Sequence, residues 1–265
     1  MADITTLFDE RMKNALDGKI AVVTGAGRGC GRAIAIGLAR AGCKVCCIAR
    51  SEQEIAATAR TINHAEGQAI SSRADVSDLG NVEEAFRTAA AAFGGIDIVV
   101  LSHGVAAGLG PVEQSDPKEW KRTVEINLVG TYFCVRTAIP HLKARGAGKI
   151  IVIGSGQGHQ TSASTSAYAC SKAGTWALVQ SLAAELASFQ ISVNELLPGN
   201  VKTQLYDETF TQVVAMTPKG TLSLSERRAA EWLKSPEDVV PLALFMACQP
   251  DLGPTAQSFS LMRRF

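Results

Sequence analysis

A chain of 265 residues that is 46% hydrophobic and 19% charged is long enough to bury one large core and too apolar to remain disordered. Its net charge of +1 excludes a general electrostatic hold on nucleic acid or an anionic membrane surface, and no apolar run approaches the ~18 residues of a membrane span. The first 18 residues are charged where a secretory leader would be apolar, and seven cysteines are an odd number for a disulfide framework, so the expectation is a soluble protein of the reducing cytoplasm.

Residues 1–18 read as an N-terminal extension and 19–265 as one domain. Residues 19–24 form a β-rich run, and 28–41 have helical spacing with Ile34, Leu38 and Ala41 on one face. Gly42 ends that helix. A strand over 44–49 and a helix over 52–65 follow, then a weak strand over 68–72 and a helix over 79–93 with Ser77 or Asp78 as N-cap. Residues 96–101 are the fourth strand, apolar throughout as a strand buried on both faces should be. A long helix is predicted over 117–143, a fifth strand over 149–153, another long helix over 167–189 and a sixth strand over 191–196. Residues 200–231 keep no clean period and read as a substrate loop; 236–248 are a helix and 256–262 a last strand.

Seven strands alternating with helices give an α/β class: one doubly wound domain, a seven-stranded parallel sheet with helices on both faces, because parallel neighbours need crossover connections. Ligands of such sheets bind beyond the carboxyl ends of the strands, where strand order reverses. Cys43, Cys46 and Cys47 crowd the second strand. No second cysteine pair or nearby histidine completes a zinc or redox site there, and His64, His103, His141 and His159 lack ligand spacing, so no metal is expected.

The turn after the first strand is Thr24-Gly25-Ala26-Gly27-Arg28-Gly29-Cys30-Gly31. Its glycines permit a tight turn and let a pyrophosphate approach backbone N–H groups at the positive end of a helix. The spacing, with Gly25, Gly29 and Gly31, is neither the general dinucleotide fingerprint nor a P-loop. The second strand ends in Ala49-Arg50-Ser51, where an NAD site usually carries an acid that accepts from the ribose. A guanidinium suits a 2′-phosphate, and the missing carboxylate removes a repulsion of about 4 kcal/mol at ~4 Å. Arg50, with Arg28 leaning over the same phosphate, therefore points to NADP, with NAD the other candidate.

Tyr168 and Lys172 lie four residues apart, on one helical face. A free phenol, pKa ~10, is a poor base at neutral pH; reaching ~7 takes about 4 kcal/mol of preferential stabilisation of the phenolate. A neighbouring ammonium and the positive ring of an oxidised nicotinamide can supply that together. Ser155 follows the fifth strand, where its hydroxyl can donate to a substrate oxygen. Asn127 sits in an otherwise buried helical pattern, where a bound water leading to Lys172 would satisfy its amide.

Taken together, the glycine turn, Asp75-Val76, Asn127, Ser155, Tyr168, Lys172 and Pro198-Gly199 resemble the short-chain dehydrogenase/reductase family in order and spacing, with Ser155 thirteen residues before Tyr168. The resemblance covers about 19–261 and implies a Rossmann-like fold. It also implies a catalytic tetrad of Asn127, Ser155, Tyr168 and Lys172. Tyr168 would exchange the proton and Ser155 orient the substrate oxygen. Lys172 would lower the tyrosine pKa and hold the nicotinamide ribose, and Asn127 would fix a relay water. Asp75 and the Val76 backbone would meet the adenine, Gly104 would allow close approach of the cofactor, and Thr203, after Pro198-Gly199, would contact the carboxamide. The family's Asn-Asn-Ala-Gly is here Leu101-Ser102-His103-Gly104, with His103 read as a hydrogen-bonded structural residue in preference to one facing the cofactor or the substrate mouth, and the C-terminus ends in Arg263-Arg264-Phe265 instead of Val-Asp-Gly-Gly. A homodimer or homotetramer, paired through the long helices, is implied as well.

The expected activity is hydride transfer between NADP(H) and a small-molecule secondary alcohol or ketone, with no nucleic acid and no membrane as partner. Alternatives are a 3-oxoacyl thioester reductase and a non-catalytic nucleotide-binding sensor. The segments 104–112, 156–165 and 204–224 would set the substrate. Gln157, His159 and Gln160 lean it towards a sugar or polyol, and His159 is either a pocket residue or a solvent-facing one.

Overall fold

The computed structural model describes residues 15–208 and 233–262. Most of the N-terminal extension, the substrate-loop segment 209–232, and Arg263 and Arg264 lie outside the described residues. The strands are β1 (Ile20–Thr24), β2 (Lys44–Ala49), β3 (Gln68–Arg73), β4 (Ile98–Leu101), β5 (Gly148–Ile153), β6 (Ile191–Leu197) and β7 (Ser258–Ser260). They form one sheet of order β3-β2-β1-β4-β5-β6-β7, every pair parallel. The order reverses between β1 and β4, and the turns after these two strands open the crevice where the rule for such sheets puts a ligand.

The helices are α1 (Gly29–Arg40), α2 (Glu52–His64), α3 (Leu79–Phe93), α4 (Pro117–Val124), α5 (Gly130–Arg145), α6 (Ser166–Leu186) and α7 (Val240–Ala247). Period-two alternation sorts the strand residues between two cores. Ala21, Val23 and Cys47 face one cluster with Ile34 and Leu38 of α1, Ile55 of α2 and Leu244 of α7. Val22 and Cys46 face the other, with Phe86 of α3, Leu142 of α5 and Leu186 of α6. Each fully buried side chain of this size contributes ~2 kcal/mol. Burial pushes the Cys43, Cys46 and Cys47 thiols up to about 12, which leaves them small hydrophobes and poor nucleophiles.

Two boundaries differ instructively from the sequence reading. Strand β4 starts at Ile98, two residues late, because the Asp97 carboxylate accepts from the Ile20 N–H at 2.9 Å and from Arg145 Nε at 2.9 Å. The side chain does there what a ladder carbonyl would do. The long helix expected over 117–143 is broken by a π turn, Glu125–Val129, between α4 and α5, and Asn127 stands in it. Asp78 caps α3 as anticipated, accepting from the Asn81 N–H at 3.0 Å.

Candidate active site

Gly25 turns with φ +65°, and a Cβ there would stand 2.8 Å from the Ser102 carbonyl oxygen, so the turn after β1 closes on the turn after β4. A Cβ at Gly31 would collide with the Gly25 carbonyl. This backbone cradle opens on the N-terminus of α1, whose unpaired N–H groups suit a pyrophosphate. Thr58 Oγ1 braces it by donating to the Ala26 carbonyl at 2.9 Å. A dinucleotide fits these residues: without side chains at Gly25 and Gly31 the backbone of the two turns closes up, and main-chain groups alone line the point where a phosphate would approach.

Beyond β2, Arg50 is exposed, and its carbonyl accepts from Arg73 Nε at 3.2 Å. Arg73, paired with Ala49 across the β2–β3 ladder, adds a third guanidinium that the sequence reading missed. Glu54 was missed too. No acid ends β2, yet α2 lays the Glu54 side chain on the glycine turn, where a Cβ at Gly27 would be 2.9 Å from Oε2. Arg28 donates through Nη1 to Gln204 Oε1, and Gln204 Nε2 donates to Glu208 Oε1 at 2.7 Å. Thr203 lies against Gly29, with Cγ2 3.2 Å from where a Cβ would be, so the segment after Pro198-Gly199 arches over the cradle. At the far end, desolvation opposes ionisation of Asp75. Two hydrogen bonds from Ser77 and the Arg50 and Arg122 charges outweigh it and hold the carboxyl below its ordinary value. Val76 packs on Gly130.

Tyr168, Ser155 and Lys172 meet at the carboxyl end of β5. The Ser155 hydroxyl lies near enough to the Tyr168 phenol to pull its pKa down, and it accepts from the Gln157 N–H at 3.2 Å. Lys172 donates to the Ile153 carbonyl at 2.8 Å and lies 5.8 Å from the Tyr168 ring centre. Burial pushes the phenol up against the pull of Ser155, and it pushes the Lys172 ammonium down to about 8. A Cβ at Gly104 would stand 3.4 Å from Asn127 Oδ1 and 3.9 Å from Lys172 Nζ, which brings the turn after β4 to the same point.

Asn127 bonds protein groups through both ends of its amide. Its Oδ1 accepts from the Val105 N–H at 2.9 Å, and its Nδ2 donates to the Val105 carbonyl at 2.9 Å and to Ser171 Oγ at 3.0 Å. These bonds clamp the chain beside Gly104. His103 is structural, as read. Thr131 Oγ1 gives its proton to the Asn127 carbonyl at 2.7 Å, so it accepts from His103 Nε2 at 3.3 Å, and Thr24 donates to Nδ1 at 2.7 Å. Burial and the Lys172 charge push this imidazole down to about 3.

His159 is exposed to solvent, one of the two readings anticipated, and it is anchored as well. Its Nε2 bonds Glu195 Oε2 at 2.7 Å, and its ring lies tilted against Trp176 with centres 5.2 Å apart. Gln157 is also spent within its own loop, Nε2 on Ser162 Oγ at 3.0 Å and Oε1 accepting from the Ser162 N–H at 3.0 Å. Among the described residues no group of three His, Cys, Asp or Glu side chains is arranged to hold a metal ion, and no helix is long and apolar enough to cross a membrane.

A family model described as short chain dehydrogenase matches residues 19–214. The chain is 32% identical to a cis-4-hydroxycyclohexanecarboxylate dehydrogenase of Sinomonas cyclohexanicum, over 89% of this chain and 92% of that one. It is 34% identical to 3beta-hydroxysteroid dehydrogenase 1 of Eggerthella lenta, over 89% of each. Among solved structures, a 3-ketoacyl-ACP reductase from Sinorhizobium meliloti superposes with a TM-score of 0.81 at 34% identity, covering 91% of this chain and 96% of that one.

Proposed function

The chain belongs to the short-chain dehydrogenase family and is an oxidoreductase of alcohols and ketones, and we propose that it moves a hydride between NADP(H) and a secondary alcohol or ketone borne on a carbon ring. One observation carries this reading: Tyr168, Ser155 and Lys172 converge beside a glycine cradle built at the reversal of strand order. The nicotinamide, when bound, supplies or accepts the hydride. Tyr168 gives its phenolic proton to the carbonyl oxygen in reduction and takes it back in oxidation. Ser155 donates to the same oxygen. Lys172 favours the phenolate by its charge, and its ammonium is the group that would hold the nicotinamide ribose. Asn127 positions, keeping Gly104 and Val105 against Lys172. Asp75, the Val76 backbone and Thr203 are the contacts proposed for the adenine and the carboxamide.

Arg28, Arg50 and Arg73 support NADP; Glu54 is the opposing charge, and a 2′-phosphate must win against it. The substrate lean moves away from a sugar, because Gln157 is bonded within its own loop and His159 Nε2 is taken by Glu195, which leaves fewer polar atoms for a ligand. Two relatives at 32% and 34% identity are named for a ring-borne hydroxyl, which supports a cyclic alcohol. The structural likeness to a 3-ketoacyl-ACP reductase favours a 3-oxoacyl thioester as the second reading. All seven cysteines are free thiols, which suits a reducing cytoplasm, and pairing of α4–α5 or α6 with a second copy would give the expected dimer or tetramer.

Titration with NADPH and NADH, followed by nicotinamide fluorescence, tests the cofactor. NADPH should bind about tenfold tighter, an advantage of ~1.4 kcal/mol, and Arg50→Ala should erase it. Equal or better NADH binding overturns the NADP assignment and leaves the family untouched. Comparing kcat/KM for cyclohexanol-type alcohols with that for an acetoacetyl thioester then separates the two substrate readings.

A further inference from the structure

Strand β6 is buried along its whole length, and one of its side chains is a carboxylate, Glu195, with no exposure at all. An ionised group out of water is kept only where partners are arranged for it. On one side Oε2 takes His159 Nε2 at 2.7 Å and the Ser258 hydroxyl of β7. On the other side Oε1 has no hydrogen-bond partner among the described residues. It occupies the space left by Gly154, where any Cβ would collide with the carboxylate. Glu195 and Gly154 are thus matched to each other across the β5–β6 pair.

Gly154 lies between the two functional groups at this end of β5. The carbonyl before it, of Ile153, accepts the Lys172 ammonium, and the residue after it is Ser155. His159 closes the same turn, its N–H donating to the Gly156 carbonyl at 3.0 Å, and Trp176 of α6 backs its ring. Among the described residues, the ionisable groups set against the carboxylate are His159 from the turn after β5 and Lys172 from α6, with Tyr168 beyond it. From β7 comes only the neutral Ser258.

We infer that Glu195, gripped by His159 and Ser258, is a positioning residue for proton transfer: it fixes the turn that carries Ser155 and sets a negative charge behind Lys172. That charge favours the ammonium form of Lys172 against its burial, and the ammonium in turn favours the Tyr168 phenolate. The inference rests on the assignment of Tyr168 and Lys172 to the chemistry.

The test is Glu195→Gln in the full-length protein with NADP(H), isosteric but uncharged. Without the negative charge Lys172 holds its proton less well, so Tyr168 needs a higher pH to ionise. The ascending limb of kcat for alcohol oxidation should move up by about half a unit. At neutral pH kcat should fall about threefold, and NADPH affinity should stay within about twofold. A second readout needs no turnover: amide hydrogen exchange over 155–159 should quicken about tenfold. If Glu195→Gln does not fold, His159→Phe, which keeps a ring against Trp176, reads the same turn by exchange. A uniform loss of rate with the limb unmoved reduces Glu195 to a structural role and overturns the inference, as does unchanged exchange over 155–159. A wild-type protein that oxidises no alcohol overturns the functional reading, while the exchange measurement still decides whether Glu195 holds the turn.

Discussion

At Tyr168 two influences oppose each other. Burial pushes the phenol up and the Ser155 hydroxyl pulls it back, so the resting protein keeps this proton. That is the state needed to reduce a ketone. Ionisation for the reverse direction depends on Lys172, charged below about 8, and on the positive ring that an oxidised nicotinamide adds when bound. Oxidation should therefore gain with pH up to about 8 and stop gaining once Lys172 discharges. Tyr168→Phe removes the transferable proton and leaves the ring in place. We expect kcat to fall ~10³-fold, within the range for loss of a general acid, with NADPH affinity unchanged within about twofold. Steady-state rates beside a fluorescence titration check this, and normal activity in the Tyr168→Phe protein would assign the phenol to a structural part.

Among the elements, the strands were the most legible, because a strand buried on both faces is a contiguous apolar run and its ends are marked where the run stops. The π turn at Asn127 was not legible. An extra residue in a helical turn hardly disturbs the spacing of apolar positions, and its cause is distant in sequence: Asn127 pairs with the Val105 backbone as one strand pairs with another. Glu54, Arg73 and the Glu195 partner of His159 escaped for the same reason, since each acts through a contact that only the folded sheet creates. The proposed tetrad stands out in the sequence by residue type and order, but Asn127 did not show what it bonds. Asn127→Ala tests the clamp. It strands the Val105 N–H and carbonyl and frees Ser171, and leaving such groups unsatisfied costs ~2–4 kcal/mol in all. A urea midpoint shifted down accordingly, together with lost activity, is expected; an Asn127→Ala protein that is stable yet inactive would place the role of Asn127 in the chemistry itself.

The molecule as a whole is two strand–helix halves joined at the β1–β4 boundary, and the join is made by polar side chains as much as by apolar ones. Asp97 ties the start of β1 to Arg145 at the end of α5. His103 ties the end of β1, through Thr24, to Thr131 at the start of α5. The His103 end of that seam lies against the cradle, so whatever loosens it also loosens the cofactor site. His103 makes the seam sensitive to acid. Its imidazole is pushed from an ordinary 6.5 down to about 3, so in the unfolded chain it takes up a proton near 6.5 that the folded protein refuses until about 3. The unfolded state therefore gains on the native one as pH falls through that window, by ~1.4 kcal/mol per pH unit for this one proton. Above 6.5 neither state binds the proton and the bonds to Thr24 and Thr131 count in full. His103→Asn, with no group to titrate there, should be less stable than the wild type at pH 7, and its deficit should narrow at about that slope between pH 6 and pH 4. Urea unfolding of both proteins across this range decides it: converging curves place the acid sensitivity at the seam, and parallel curves would assign it to the carboxylates elsewhere.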